Sequence, residues 1–392
     1  MAGAPPTLAA FAIAAPGLEP IVAAELAGLG IPAAIDAGGV AWTGTAESIA
    51  RANLWLRTAS RVVVRFGEFR ARTFQELERH ARKLPWERFV AAGAPVRFRV
   101  TSRKSRLYHT AAIAERLGEA TTRRAGAAAF PRDAASAGTT EEGDGYDGGD
   151  ESAVQLFIVR VVRDICTVSV DTSGALLHRR GYRQAVAKAP LRETIAAAML
   201  LGSEWPATAP LMDPMCGSGT IPIEAALMAR RIAPGLSRGF AFLAWPGFEV
   251  SMWSRLVAEA REKELPSVPA PISASDRDAG AIEAARANAD RARVAADIEL
   301  DRRPLSALES PGGGGWLVTN PPYGVRVAER TALRDLYAAF GNVARARFAG
   351  WTVAMLSPLE VLERQVGLDF RERFRTLNGG IPVRLMTATV ES

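Results

Sequence analysis

The sequence predicts an α/β chain, with a parallel sheet in its second half and smaller α+β layers in its first. Three observations carry this reading. Pro210-Leu211-Met212-Asp213 runs from short apolar residues into an acid, Pro214 to Thr220 is a glycine-rich turn, and Ile221 to Leu227 reads as a helix. Strand, tight loop and helix in that order open a parallel sheet. Further on, Trp316-Leu317-Val318-Thr319 reads as a buried strand ending in Asn320-Pro321-Pro322-Tyr323-Gly324. Before residue 190, short strands and helices alternate on a smaller scale, as α+β layers do.

In chain order, Phe11 to Ala14 is a strand, and a helix runs from Gly17 to about Leu29. Leu18, Ile21, Val22, Leu26 and Leu29 share one helical face, and Gly30 ends it. Val40 to Trp42 is a strand and Thr45 to Trp55 a helix. Arg61 to Phe66 alternates, with Val62, Val64 and Phe66 inward and Arg61 and Arg65 outward. Phe74 to Leu84 is helical, Val96 to Val100 is a strand with Arg97 and Arg99 outward, and Tyr108 to Thr121 is a helix. Residues from Ala125 to Ser152 are rich in Gly, Ala, Ser, Asp and Glu, the composition of a disordered insertion. Val154 to Val162 and Cys166 to Asp171 form a hairpin about Arg163-Asp164.

Leu191 to Leu201 is an alanine-rich connecting helix. After the glycine turn, Ile272 to Asp276 is a second apolar strand ending in an acid, and Asp278 caps a helix from Ala279 to Arg291. The two strand-end acids are 63 residues apart, against roughly 20 in a dinucleotide fold. Extra helices and the turn Trp245-Pro246-Gly247-Phe248 fill that gap. Ala295 to Leu300 is a third strand, Pro311 to Gly315 a flexible link, and Trp351 to Leu356 and Val383 to Thr389 are late strands.

Gly217 and Gly219 let the backbone turn sharply and approach a ligand, and the helix that follows presents free N–H groups. Three ligands use such a turn. A phosphate loop needs Gly-Lys-Ser/Thr, and no Lys follows Gly219; a dinucleotide fold needs a third glycine where Pro222 stands. S-adenosylmethionine (SAM) remains, and the strand end at Asn320 favours it. Strand carboxyl ends line the ligand crevice of such sheets. Asn320 brings a side-chain carbonyl, Pro321 a main-chain carbonyl in a stiffened turn, and Tyr323 an aromatic face. Together they suit a flat base with an exocyclic amine. A plain proline turn is the bland alternative; two such motifs in order in one domain argue against it.

Composition bounds the rest. The 392 residues suffice for two or three domains, and 48% are hydrophobic. No apolar run is long enough for a bilayer span, and the first residues lack the basic region of a signal peptide. Cys166 and Cys216 are the only cysteines, too few for a disulfide framework or a cysteine zinc site. A cytoplasmic, metal-free monomer is expected. The formal charge is +6 and the pI about 9.7. Arginines crowd the stretches Arg51 to Arg88 and Arg97 to Arg106, so a sheet edge with outward arginines facing an RNA backbone is expected.

With these residues in view, the chain resembles the bacterial branch of the THUMP-domain class I RNA methyltransferases. The resemblance rests on Pro16-Gly17-Leu18-Glu19, Glu25-Leu26, Asn53 to Val62, Asp171-Thr172-Ser173-Gly174, Leu177 to Arg183, Ala189 to Thr194 and the two strand-end motifs. It covers nearly the whole chain outside the acidic insertion. It implies a ferredoxin-like domain over 1–60, an RNA-gripping THUMP domain over 61–184, a linker helix over 185–203, and a Rossmann-like methyltransferase domain over 204–392. It also implies methyl transfer from SAM to the exocyclic N2 amine of a guanosine in RNA. Asp213, Cys216, Gly217 and Gly219 match the loop that cradles the cofactor's methionine part, and Asp276 matches the acid that takes the ribose hydroxyls. Asn320, Pro321 and Tyr323 match the target-base clamp. Pro304 stands where an Asp near the adenine is usual, and Thr194 where an asparagine is common. The family's branches modify 23S ribosomal RNA or tRNA; ribosomal RNA is favoured here, in the form without a fused second methyltransferase. A non-catalytic RNA assembly factor is the competing class, against which Asp213, Asp276 and Asn320 stand. His80, His109 and His178 lie far in sequence from both motifs and are expected to be core or RNA-face residues.

Overall fold

A computed structural model describes residues 7–129, 154–184, 191–323 and 330–391. The acidic insertion falls almost wholly outside them. The chain divides into two compact units. The first takes the N-terminal stretch to Ile13, Glu25–Leu177 and Arg238–Val257; the second takes Ala14–Ala24, His178–Ser237 and Ala258–Ser392.

The first unit holds an eight-stranded sheet. Its strands are β1 (Leu8–Ala14), β2 (Ala34–Asp36), β3 (Gly39–Gly44), β4 (Ala59–Arg70), β5 (Pro95–Arg103), β6 (Ala128–Ala129), β7 (Gln155–Val162) and β8 (Ile165–Asp171). They are ordered β2-β3-β1-β4-β8-β7-β5-β6. Helices α1 (Glu19–Gly28, whose residues to Ala24 belong to the second unit), α2 (Ala46–Trp55), α3 (Phe74–Ala81) and α4 (Thr110–Ala125) punctuate them. The predicted hairpin about Arg163-Asp164 is present, both residues taking positive φ as a tight two-residue turn demands. Thr45 caps α2 by accepting the Ser48 N–H at 3.3 Å. Trp86, Phe157, Phe66 and Phe98 pack edge-to-face, tilted or stacked as the aromatic heart of the unit.

Two expectations fail here. Arg61 does not face outward. It is 4% exposed, pairs with the buried Asp171 carboxylate and also donates to the Gly174 carbonyl. Arg61, Val62, Val63 and Val64 are buried in succession, so this half of β4 is covered on both faces. Nor are the arginine-bearing strands sheet edges: β4 lies between β1 and β8, and β5 between β7 and β6. Pairing pattern, invisible in composition, decides both.

Around Arg61 a polar network ties α2 to the strands. Asn53 Nδ2 donates to Thr172 Oγ1 at 2.8 Å, Ser173 Oγ donates to Asn53 Oδ1 at 2.7 Å, and Val62 N donates to Ser173 Oγ at 2.9 Å. Glu25 is held in the same way, accepting from the N–H groups of Arg57 (2.7 Å) and Thr58 (3.1 Å). The segment Arg238–Val257 joins the unit although it lies between two strands of the other sheet in sequence. Trp245 Nε1 donates to Gln155 Oε1 at 2.9 Å, and its ring meets Phe89 edge-on.

The second unit holds the predicted parallel sheet. Its elements are α5 (Glu193–Gly202), β9 (Leu211–Asp213), α6 (Thr220–Ala229), the end of α7 (Val250–Glu262, whose residues to Val257 belong to the first unit), β10 (Ile272–Asp276), α8 (Ala279–Arg291), β11 (Glu299–Arg302), β12 (Trp316–Thr319), α9 (Arg330–Arg347), β13 (Thr352–Ser357), α10 (Glu360–Val366), β14 (Arg371–Asn378) and β15 (Ile381–Thr389). The order is β11-β10-β9-β12-β13-β15-β14, parallel except where β15 joins. The expected third strand starts later than read: residues Ala295–Asp297 form a short 3₁₀ turn and β11 begins at Glu299. The chain winds from β9 toward β11 on one side and from β12 outward on the other. The switch point therefore lies between β9 and β12.

Removing one member of a buried ion pair leaves the other charged and undersolvated. Arg61→Ala is expected to destabilise the protein by about 3–5 kcal/mol in urea unfolding, and Asp171→Asn in that background to recover part of the loss. An unchanged midpoint for Arg61→Ala would remove the pair from the account of unit stability.

Candidate active site

Strand β9 delivers Asp213, 1% exposed, to the carboxyl edge of the sheet. Its carboxylate accepts the Met215 N–H at 3.1 Å and turns the chain. The loop is then tied to the end of β10. Cys216 N donates to the Ser275 carbonyl at 3.0 Å, and Gly217 N donates to Asp276 Oδ2 at 3.0 Å. Asp276 Oδ1 accepts the Asp278 N–H at 3.0 Å, and Asp278 caps α8 through the Gly280 N–H at 3.1 Å. From α8, the buried Asn288 donates to the Ser218 carbonyl at 2.9 Å.

The two glycines serve different ends. Gly219 has φ +83°, and a methyl there would sit 3.0 Å from the Ala285 side chain, so it lets α6 start close against α8. Gly217 has φ +53°, and a methyl there would meet open space. The loop thus exposes bare backbone beside an α6 N-terminus that no side chain among the described residues caps. Free N–H groups, open space and a carboxylate with remaining lone pairs fit the polar ends of a nucleoside ligand.

Strand β12 lies directly beside β9, Leu317 opposite Met212 and Trp316 opposite Leu211. Extending that register, Asn320 projects about two residues beyond the level of Asp213, as Asp276 does on the other side. All three stand on one edge because parallel neighbours point the same way. Asn320 is partly buried, and its Oδ1 is buried with no hydrogen-bond partner among the described residues. A buried carbonyl in that state favours an incoming N–H donor. Pro321 is buried, Pro322 exposed and Tyr323 half-buried. The Tyr323 ring packs against the apolar cluster of the second unit that holds Leu18, Leu211, Ile223, Val318 and Leu385, and its hydroxyl accepts from Asn378 Nδ2 at 2.7 Å. Gly324 lies outside the described residues.

The electrostatics follow from burial. Burial pushes the Asp213 carboxyl up to about 7; the neighbouring Asp276 adds to this and the Met215 N–H opposes it. Burial first, then Asp213 and Asp276, push the Cys216 thiol far above its ordinary range, so it is a packing residue and no nucleophile. His178 is held down to about 2 by burial and the arginines around it. In the first unit His80 stacks on Phe69, and the His109 ring lies tilted against Tyr108.

A second buried network steadies the loop from below. Arg180 pairs with Glu224 of α6 at 3.4 Å, and the Tyr182 hydroxyl donates to the same carboxylate at 3.0 Å. Arg183 pairs with Glu193 of α5 at 3.1 Å, and burial raises Glu193 to about 7. Sequence reading placed Asp213, Cys216, Gly217, Gly219 and Asp276 together, and they are together. It missed Asn288 and Asn378. Asn288 carries a legible signal, a polar residue three positions from Ala285 on the buried face of α8.

In the first unit many predicted RNA-facing arginines prove to be engaged. Arg65 lies over the Phe11 ring and pairs with Asp36, Arg51 pairs with Glu47, and Arg82 pairs with Glu78, which also takes Arg116 from α4. Others gather at one end of the sheet. Asp164 Oδ1 accepts the Arg106 N–H at 2.8 Å, its Oδ2 the Arg72 side chain at 3.3 Å and its carbonyl the Ala71 N–H at 2.9 Å. That residue draws together three basic segments, and Arg70, Arg72, Glu76 and Arg79 line a cleft there. Tyr108, 68% exposed, stands in the basic segment that carries Arg106.

Comparison with known proteins agrees with this architecture. Residues 180–386 match the family described as RMKL-like, methyltransferase domain, and residues 9–63 match the RlmL ferredoxin-like domain. The protein named "Putative RNA methyltransferase slr0064" from Synechocystis sp. is 34% identical over 96% of this chain and 95% of its own. The ribosomal RNA large subunit methyltransferase K/L of Syntrophotalea carbinolica is 36% identical over 96% of this chain, which spans 53% of that longer relative. The crystal structure of SMU.472, complexed with SAH, superposes with a TM-score of 0.85 at 32% identity, over 98% of this chain and 99% of that one. Among the described residues no helix is long and apolar enough to cross a membrane, and no cluster of potential metal ligands occurs.

A carboxylate whose pKa is raised on folding contributes stability that is fully present below its unfolded value and is lost as pH rises through the folded one. For Asp213 that window runs from 3.8 to about 7. Asp213→Asn removes the charge while keeping a carbonyl for Met215. The ligand-free variant is expected to be more stable than the parent by a gap that grows between about pH 4 and 7, reaching a few kcal/mol, and then levels off. Urea titrations across that range measure it; parallel curves would show that Asp213 is not strained.

Proposed function

The chain belongs to the RMKL-like methyltransferases and is a SAM-dependent RNA methyltransferase; on that premise we propose that its acceptor is the exocyclic N2 amine of a guanosine, in 23S ribosomal RNA. The observation that carries the acceptor assignment is the buried Asn320 carbonyl, without a partner among the described residues, at the end of the strand beside the glycine loop.

SAM, when bound, would supply an electrophilic methyl group on a sulfonium, the C–S bonding pair staying on sulfur as S-adenosylhomocysteine leaves. The chain's residues do the rest by positioning. Asp276 would take the ribose hydroxyls of the cofactor, and Asp213, Cys216, Gly217 and Gly219, with the N–H groups at the start of α6, would shape the bed of its methionine part. Asn320 Oδ1 and the Pro321 carbonyl accept the two amine hydrogens of the base, and Tyr323 offers it a stacking face. Holding both hydrogens turns the nitrogen lone pair, otherwise delocalised into the ring, toward the methyl. The product amine releases its extra proton to solvent, so no strong base is required. An amine inside a duplex cannot reach this edge, so the guanosine is unpaired or extruded.

The same clamp chemistry serves adenine amines, and the first unit favours RNA guanosine instead. Residues 61–184 act in this reading as the THUMP domain, their basic end meeting phosphates. The protein acts in the cytoplasm on ribosomal RNA, with tRNA as the competing substrate.

Asn320→Ala is expected to lower methyl transfer roughly 10²-fold or more, with SAM binding by calorimetry unchanged; full turnover would remove the clamp. Mass mapping of RNA from a deletion strain should show one N2-methylguanosine missing from 23S ribosomal RNA. Loss from tRNA would move the substrate, and no loss in either would sink the guanosine assignment. Replacing Arg70 and Arg79 by Gln should raise KM for RNA and flatten its dependence on salt, with kcat little changed. An unaltered salt slope would place the RNA elsewhere.

A further inference from the structure

We propose that Asn378 is a positioning residue for the target base, acting through the Tyr323 hydroxyl; this rests on the clamp reading of Asn320 and Tyr323 given above. The two residues come from distant parts of the sheet. Tyr323 follows β12, Asn378 ends β14, and β13 and β15 lie between them in the strand order. Three strand spacings are about 14 Å, yet Asn378 Nδ2 donates to Tyr323 Oη at 2.7 Å. The tyrosine therefore reaches over the ends of the two intervening strands.

The hairpin is built to meet it there. Gly379 and Gly380 both take positive φ, +57° and +81°, forming the tight turn between β14 and β15. Ser357, the last residue of β13, pairs with Arg384, while β15 starts three residues earlier at Ile381, opposite Asn378. The turn thus overhangs the carboxyl edge, where Asp213, Asp276 and Asn320 also stand. Asn378 is only 6% exposed, so its amide is committed in place.

The chemistry suits a support. Tyr323 is fixed near its backbone by Pro321-Pro322 and at its tip by the amide, with the ring packed on the apolar cluster between. Because the phenol oxygen accepts this bond, its own proton stays free. A ring held at both ends keeps a stacking surface at one height and angle, which a positioning mechanism needs. Without the amide, the half-buried ring gains freedom just where the base must be held still.

The test is a double-mutant cycle on the full chain, with SAM and undermethylated RNA from a deletion strain. Asn378→Ala is expected to lower kcat roughly 10-fold with the Kd for SAM unchanged. Tyr323→Phe, which keeps the ring and removes the same bond, should do likewise, and the double variant should lose no more than either single one. Losses that multiply, or wild-type kcat in either single variant, overturn the inference. Should Asn378→Ala not fold, Tyr323→Phe alone decides, because its ring still fills the cluster. Tyr323→Ala separates the two levels. If it is inactive while Asn378→Ala is fully active, only the role of Asn378 fails. If it turns over normally, the clamp reading falls and this inference with it.

Discussion

Parallel pairing is the constraint from which the rest follows. Strands that run side by side in one direction must end on one edge, and β10, β9 and β12 are three consecutive neighbours. Two acids and an amide separated by more than a hundred residues in sequence therefore share a crevice rim. The pairing alone leaves the glycine loop free to wander. The Asp276 carboxylate stops it by taking one N–H from the loop and one from the start of the α8 turn. The same carboxylate oxygens retain lone pairs, so the group that shapes the bed can also touch what lies in it.

The residues that mark the family divide by physical role. Asn53, Arg61, Asp171, Thr172 and Ser173 are buried and hydrogen-bonded to one another or to strand backbone, far in function from any chemistry. Buried polar groups tolerate few substitutes because a lost partner leaves its mate unsatisfied. Arg180, Tyr182 and Glu224 form a comparable knot beneath the glycine loop. Such residues serve the architecture and touch none of the site's chemistry. Asp213 belongs to both classes: it turns the loop, and its burial costs stability whenever it is charged.

Much of the second unit was legible because period and punctuation agreed there. Apolar runs ended on acids or on Asn320, and helices followed from caps such as Asp278. The first unit was less legible. The alternation at Arg61 to Phe66 implied one wet face, but Val63 is buried with its neighbours, and an ion pair drawn from β8 satisfies Arg61 inside. Nothing local announces that partner, 110 positions away. Charge crowding misled for a related reason: an arginine's destination depends on which acid the fold brings beside it, as with Glu78 and Asp36. The partner of Tyr323 was hidden similarly, since only strand order shows that the end of β14 overlooks the end of β12.

The exchange of segments between the units has a practical consequence for dissection. A gene cut after Leu177 divides both units. The front fragment would lack Trp245, which meets Phe89 and Gln155, and Arg238, whose guanidinium donates to the Leu176 carbonyl at 2.7 Å. The rear fragment would lack Ala14–Ala24, including Leu18 of its own apolar cluster. Modularity here is a property of space and not of the reading frame, so halves would have to be excised with grafted loops.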